Sequence, residues 1–258
     1  MTRRFENRVA LVTGAAQGIG AGIATRLAAD GARVIIADVN LPEARAMANR
    51  INAEGGESAA VELDVADPDS FSRLNDSVLA AFGDPLDFFV CNAGVQTFKK
   101  AVDVTVDEWD RVLDINARGT LLSMQAAASM SAGSSVVAIA SIQGRLGGPY
   151  YPHYSASKAA VLSLVKSFAL ALAPGGIRVN AVAPGIVDTP LWDEADRMLS
   201  ALKGEAPGVA RAERIASVPL GRAGTPADVA AAVSFLLSED ASYITGECIH
   251  VCGGDVML

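Results

Sequence analysis

Seven short apolar runs alternate with longer alanine-rich stretches along the 258 residues of this chain. RVALVTG (8–14), ARVIIADV (32–39), SAAVELDV (58–65), LDFFVCNAG (86–94), SSVVAIAS (134–141), IRVNAVAPG (177–185) and ECIHVCGG (247–254) each read as a strand. The segments at 19–31, 42–56, 68–82, about 105–131, 153–173 and 226–238 read as helices, with Pro226 at a first helical turn. Strands that are apolar on both faces need cover on both, and helical crossovers let them run parallel. The pattern predicts one α/β domain over residues 1–258, a doubly wound seven-stranded parallel sheet with helices on both faces.

The 51% hydrophobic content supplies a sizeable core, and 19% charged residues is too few for a disordered chain. With 29 acidic against 21 basic residues and no Lys/Arg run, the balance argues against nucleic-acid or anionic-membrane partners. The basic start has too short an apolar run for a signal peptide, and AAVLSLVKSFALALA, interrupted by Lys166, reads as too short to cross a bilayer. The expectation is a cytoplasmic protein. Cys91, Cys248 and Cys252 are odd in number with no CxxC. On a strand, Cys248 and Cys252 would stand roughly 13 Å apart, beyond the ~7 Å reach of a disulfide, so all three read as small buried hydrophobes. Two histidines without a ligand cluster give no metal site.

The turn TGAAQGIG (13–20) joins the first strand to the first helix. Gly14 permits a sharp turn, Gly18 lets backbone approach a ligand, and Gly20 lets helix and strand pack closely. The following helix points its N–H groups at an anion such as a pyrophosphate. Asp38, near the end of the second strand, can accept hydrogen bonds from adenosine ribose hydroxyls, which completes a dinucleotide-binding pattern of Rossmann type. It would repel a 2′-phosphate: two unit charges ~4 Å apart at an effective dielectric of ~20 cost about 4 kcal/mol. The cofactor reading is therefore NAD rather than NADP.

PYYPHYSASKAA (149–160) holds three tyrosines, and only Tyr154 has a lysine four residues on, Lys158, on the same helix face. A neighbouring ammonium lowers a phenol's pKa toward the working range. Tyr150 and Tyr151 stand beside Pro152, where helix is disfavoured. The segment from Gly185 to Gly224 breaks the strand–helix rhythm at a strand's carboxyl end and reads as a lid (about 185–224).

Seven phrases in order, TGAAQGIG, DV (64–65), NAG (92–94), INARG around Asn116, Ser141, YSASK and APG (183–185), make the chain resemble the short-chain dehydrogenase/reductase family over its full length. The resemblance implies that Tyr154 is the general acid/base, that Lys158 tunes it and holds the nicotinamide ribose, and that Ser141 bonds the reacting oxygen. It implies that Asn116 distorts its helix and positions a water for proton release. Cofactor contacts would come from Gly14, Gln17, Gly18, Ile19 and Gly20. Asp64 and Val65 would border the adenine, Asn92, Ala93 and Gly94 the middle of the cofactor, and Pro184, Gly185, Val187 and Thr189 the nicotinamide. The family often has two asparagines before AG; here the first is Cys91, expected to face inward.

The lid opening GIVDTPLWDEAD looks like that of sorbitol-type polyol and butanediol dehydrogenases, with Trp192 in the matching place. Gln143 and Gln96 can supply hydrogen bonds to substrate hydroxyls, while His153 reads as a helix-start residue facing solvent. The expected reaction is NAD-linked oxidation of a secondary hydroxyl in a polyol or vicinal diol, by a homotetramer. The alternatives are a 3-oxoacyl-thioester reductase, which would favour NADPH and a basic patch, and a non-catalytic dinucleotide sensor.

Overall fold

The computed structural model describes residues 4–257; the first three residues of the basic start and Leu258 of the tail lie outside the described residues. Seven parallel strands, β1 (Val9–Thr13), β2 (Arg33–Asp38), β3 (Glu57–Glu62), β4 (Phe88–Cys91), β5 (Ser135–Ile139), β6 (Arg178–Pro184) and β7 (Cys248–Val251), form one sheet in the order β3-β2-β1-β4-β5-β6-β7. The order reverses between β1 and β4, which leaves a crevice at the strands' carboxyl ends.

Alternating side chains of each strand feed two cores. Ala10, Val12, Val34, Ile36, Phe88 and Val90 meet α1 (Gly18–Ala29), α2 (Leu41–Ala53) and α10 (Pro226–Leu237) on one face. Val9, Leu11, Ile35, Phe89 and Val136 meet α4 (Leu74–Phe82), α6 (Gly119–Ala127) and α7 (Pro152–Leu172) on the other. Both faces are dry, as near-continuous apolar strands require. Cys91 is buried in the second core, as its strand position predicts, and all three cysteines are free thiols.

Three elements differ from the sequence reading. The helix expected over 68–82 is two pieces, α3 (Pro68–Phe71) and α4, with the chain reorienting at Ser72 and Arg73. The helix expected near 105–131 is α5 (Val106–Leu113), a wide π turn (Asp114–Arg118) and α6. The helical run containing Lys166 extends over Pro152–Gly175, 24 residues with a mean hydropathy of 1.5 in its apolar window, so by length and composition it is long enough to span a bilayer. The reading of that run as too short measured only the apolar stretch AAVLSLVKSFALALA, whereas the helix already read over 153–173 carries it within a longer run. Val161, Val165 and Ala169 of this helix pack into the sheet's core.

The excursion after β6 contains two helices, α8 (Pro190–Lys203) and α9 (Val209–Ala216). Its two ends are joined: Asp188 N donates to Gly224 O and Gly224 N to Ile186 O, both at 2.9 Å. Arg211 of α9 binds Asp188 at 2.6 Å and Asp193 of α8 at 2.8 Å, tying the lid helices to that neck.

Candidate active site

A cavity of about 570 Å³ opens at the crevice, bounded by the glycine turn, the carboxyl ends of β4, β5 and β6, the start of α7 and the lid. Gly14, at a φ of 61°, makes the turn after β1. A Cβ on Gly20 would lie 2.3 Å from the Gly14 carbonyl oxygen, so helix and turn approach as closely as the sequence reading required. The Asn92 amide donates to the carbonyls of Thr13 at 2.9 Å and Gly14 at 3.0 Å, while Thr13 Oγ1 accepts from the backbone of Asn92 and Ala93 at 3.0 Å. No acidic residue stands in the first turn of α1 and no side chain caps it, so its N–H groups remain open to an anion. Asp38 accepts from Ala16 N at 3.1 Å and Asn40 N at 3.0 Å; it both braces the turn and puts a carboxylate at this end of the cavity.

Gly14, Gln17, Gly18, Ile19, Gly20, Asp38, Asp64, Val65, Asn92, Ala93 and Gly94 line one continuous wall. Pro184, Gly185, Val187 and Thr189 line the same cavity, and a Cβ on Gly18 would lie 3.7 Å from Thr189 Cγ2. The uncapped helix start, the glycine-bared edge and the carboxylate together suit a dinucleotide whose pyrophosphate meets the turn.

Further along the cavity stand Ser141, Tyr154 and Lys158. Ser141 follows β5 and its Oγ accepts from Gln143 N at 3.1 Å, which fixes the serine at the head of a tight turn. Lys158 is 5% exposed, donates to the Ile139 carbonyl at 2.8 Å and has its Nζ 5.8 Å from the centre of the Tyr154 ring. Burial holds its ammonium down to about 8. Burial likewise pushes the Tyr154 phenol up, with the Ser141 hydroxyl pulling it partly back. This differs from the expectation that the lysine lowers the phenol: desolvation is the largest influence on it, and the ammonium donates to the Ile139 carbonyl.

Asn116 is fully buried within the π turn, donating through Nδ2 to Val95 O at 2.9 Å and Ser157 Oγ at 3.0 Å and accepting from Val95 N at 2.8 Å. Thr120 Oγ1 takes the Asn116 carbonyl at 2.7 Å, part of the widening of the helix. Ser157 in turn donates to the Tyr154 carbonyl at 2.7 Å, so a relay of hydrogen bonds locks the Tyr154 turn of α7 to the π turn. A Cβ at Gly94 would lie 3.2 Å from Asn116 Oδ1 and 3.4 Å from Lys158 Nζ, which shows how tightly these groups converge.

Gln143, Gln96 and Trp192 also line the cavity, and Gln143 Oε1 is buried without a protein partner. His153 contradicts its reading as a solvent-facing residue. It is fully buried, with Nε2 2.6 Å from Thr97 Oγ1, because the 95–101 loop folds over the start of α7. The same loop bonds Lys99 N to Tyr150 O and Ala101 N to Pro149 O, both at 2.8 Å, and sets Phe98 edge-on to Tyr151 at 5.7 Å. Phe98, which no sequence motif marked, and Tyr151, set aside as a catalytic candidate, are both cavity walls. Thr13 and Ser157 were inside quoted phrases, but their bonding roles become visible only in three dimensions. Lys203, Glu213 and Arg214 of the lid helices also reach the cavity, and nothing in the sequence singled them out.

The family described as "Enoyl-(Acyl carrier protein) reductase" matches residues 14–255. The chain belongs to the short-chain dehydrogenase/reductase family. Among curated members, it is 39% identical to galactitol 2-dehydrogenase of Agrobacterium fabrum (strain C58) over 98% of this chain and 99% of that one. It shares the same identity and coverage with sorbitol dehydrogenase of Cereibacter sphaeroides. Among solved members, a dehydrogenase/reductase from Sinorhizobium meliloti 1021 superposes with a TM-score of 0.89 at 30% identity, covering 99% and 98% of the two chains.

Proposed function

We propose that this chain oxidises a secondary hydroxyl of a polyol or vicinal diol, or reduces the corresponding ketone, with NAD. The observation that carries the reading is the convergence of buried Ser141 and Lys158 with half-buried Tyr154 in the cavity that the glycine turn lines. Full-length similarity to galactitol and sorbitol dehydrogenases supports the substrate class.

The dinucleotide, when bound, supplies the hydride acceptor or donor. Ser141 Oγ bonds the substrate oxygen and holds it toward Tyr154 Oη, which takes the hydroxyl proton in oxidation and returns it in reduction. Lys158, its Nζ 5.8 Å from the centre of the Tyr154 ring, would hold the nicotinamide ribose. Asn116 holds the helix turn that carries Tyr154 and positions a water that passes the proton toward solvent. Gly14, Gln17, Gly18, Ile19 and Gly20 bind the pyrophosphate, Asp38 the adenosine ribose, and Asp64 and Val65 the adenine edge. Asn92, Ala93 and Gly94 line the middle of the cofactor, and Pro184, Gly185, Val187 and Thr189 the nicotinamide. Gln143 bonds a neighbouring substrate hydroxyl and Trp192 lies over its carbon face. The assembly is a cytoplasmic homotetramer.

The test is a panel of sugar alcohols and diols with NAD, followed by absorbance of the reduced cofactor. Tyr154→Phe should lower kcat by at least roughly 10²-fold while dinucleotide affinity changes little. Wild-type preference for NAD over NADP should be roughly 10²-fold or more, and Asp38→Ser should erase most of it. Turnover confined to acyl thioesters with NADPH would favour the thioester reductase that the matched family's description suggests. Tight NAD binding with no turnover of any alcohol or ketone would favour a sensor.

A further inference from the structure

We infer that the lid selects uncharged substrates, because each cation it presents to the cavity is already neutralised by a protein carboxylate. The inference rests on the dehydrogenase reading and narrows its substrate class. Two cations of the lid helices face the cavity, Lys203 and Arg214. Lys203 Nζ lies 2.5 Å from Glu213 Oε2 and 3.3 Å from Glu205 Oε2. Arg214 forms a two-pronged pair with Asp255 of the C-terminal tail, Nη1 to Oδ1 at 2.9 Å and Nη2 to Oδ2, and Nη1 also reaches Ser217 Oγ at 3.0 Å. The Asp255 side chain is only 8% exposed, so this pair is shielded from water far better than an ordinary surface ion pair.

Two cations against three carboxylates leave this ion-pair cluster at the cavity's edge with a net charge of −1. A carboxylate or phosphate entering under the lid must either break the planar Arg214–Asp255 fork or sit beside an uncompensated negative charge. A neutral polyhydroxylated molecule meets neither obstacle. The buried, unpartnered Gln143 Oε1 offers an acceptor for a hydroxyl, and Phe98, Tyr151 and Trp192 offer apolar surface for its carbon skeleton. Phosphorylated sugars and hydroxy acids are therefore excluded by the same device that admits sugar alcohols.

The experiment compares a hexitol with the hexonate in which one terminal CH₂OH is a carboxylate, using wild type, Asp255→Asn and Glu213→Gln. For the wild type, kcat/KM should favour the hexitol at least tenfold, and added salt should raise the hexonate value while leaving the hexitol value level. Asp255→Asn releases Arg214 and should narrow the hexitol-to-hexonate ratio severalfold through the hexonate KM; Glu213→Gln should act in the same direction through Lys203. Should Asp255→Asn fail to fold, Glu213→Gln and the wild-type salt dependence still decide. Equal or faster hexonate turnover in the wild type overturns the inference and leaves hydride transfer standing. An unchanged ratio in both folded variants also overturns it. If no hexitol or diol is oxidised at all, the substrate reading fails and the inference falls with it.

Discussion

Tyr154 and Lys158 sit one helical turn apart, and burial drives their proton affinities apart, the phenol upward and the ammonium down to about 8. The reductive reaction needs the phenol protonated and the lysine charged. Its kcat/KM should be level at lower pH and fall as pH rises through about 8, where the lysine discharges. Oxidation needs the phenolate, whose raised pKa makes kcat/KM climb with pH across the neutral range; paired pH profiles in the two directions check both limbs. His153 poses a different question, since burial keeps its imidazole pKa low and its bond to Thr97 fixes the loop bearing Gln96. His153→Ala removes a fully buried ring and orphans the Thr97 hydroxyl, a loss of about 2–4 kcal/mol measurable by urea unfolding. His153→Gln, which can still reach Thr97, should recover part of it. Tyr154 was legible because its lysine lies four residues away in sequence. The burial of His153 was not, because its partner stands 56 residues upstream on a loop without a periodic pattern.

At the scale of elements, the turn after β5 and helix α7 must touch for the site to exist. A Cβ on Gly144 would lie 2.7 Å from the Lys158 carbonyl oxygen, a backbone atom that cannot rotate aside. Gly144→Ala should therefore push the Ser141 turn off α7 and lower kcat by tenfold or more with little change in cofactor affinity; steady-state kinetics beside a dinucleotide titration separate the two. The strands were readable to within about three residues at each end because their apolar runs are continuous and end in turn residues. The π turn was implied only by the family resemblance, as its extra residue leaves no mark on hydrophobic spacing. Helices α8 and α9 escaped notice because charges crowd PLWDEADRMLSALK and each helix buries little of its surface: Ala195, Asp196 and Ser200 in the first, Ala210 in the second.

For the molecule as a whole, the apolar helical run Pro152–Gly175 has only a third of its apolar window buried within one chain, with Leu170 80% exposed. Surface of that kind asks for cover. Light scattering at micromolar concentration should return four times the chain mass, and a monomer would remove the homotetramer from the proposal. Layer architecture and crevice position follow from the alternation of apolar runs, whereas assembly depends on shapes that no periodicity encodes. The joined neck at Val187 and Gly224 has a separate consequence. Ser141, Tyr154 and Lys158 hang from β5 and α7, while the cap leaves and rejoins the scaffold at a single stapled junction. Recombination at that junction should exchange what the molecule recognises while leaving Ser141, Tyr154 and Lys158 in place, so the neck is a natural seam for grafting a different cap.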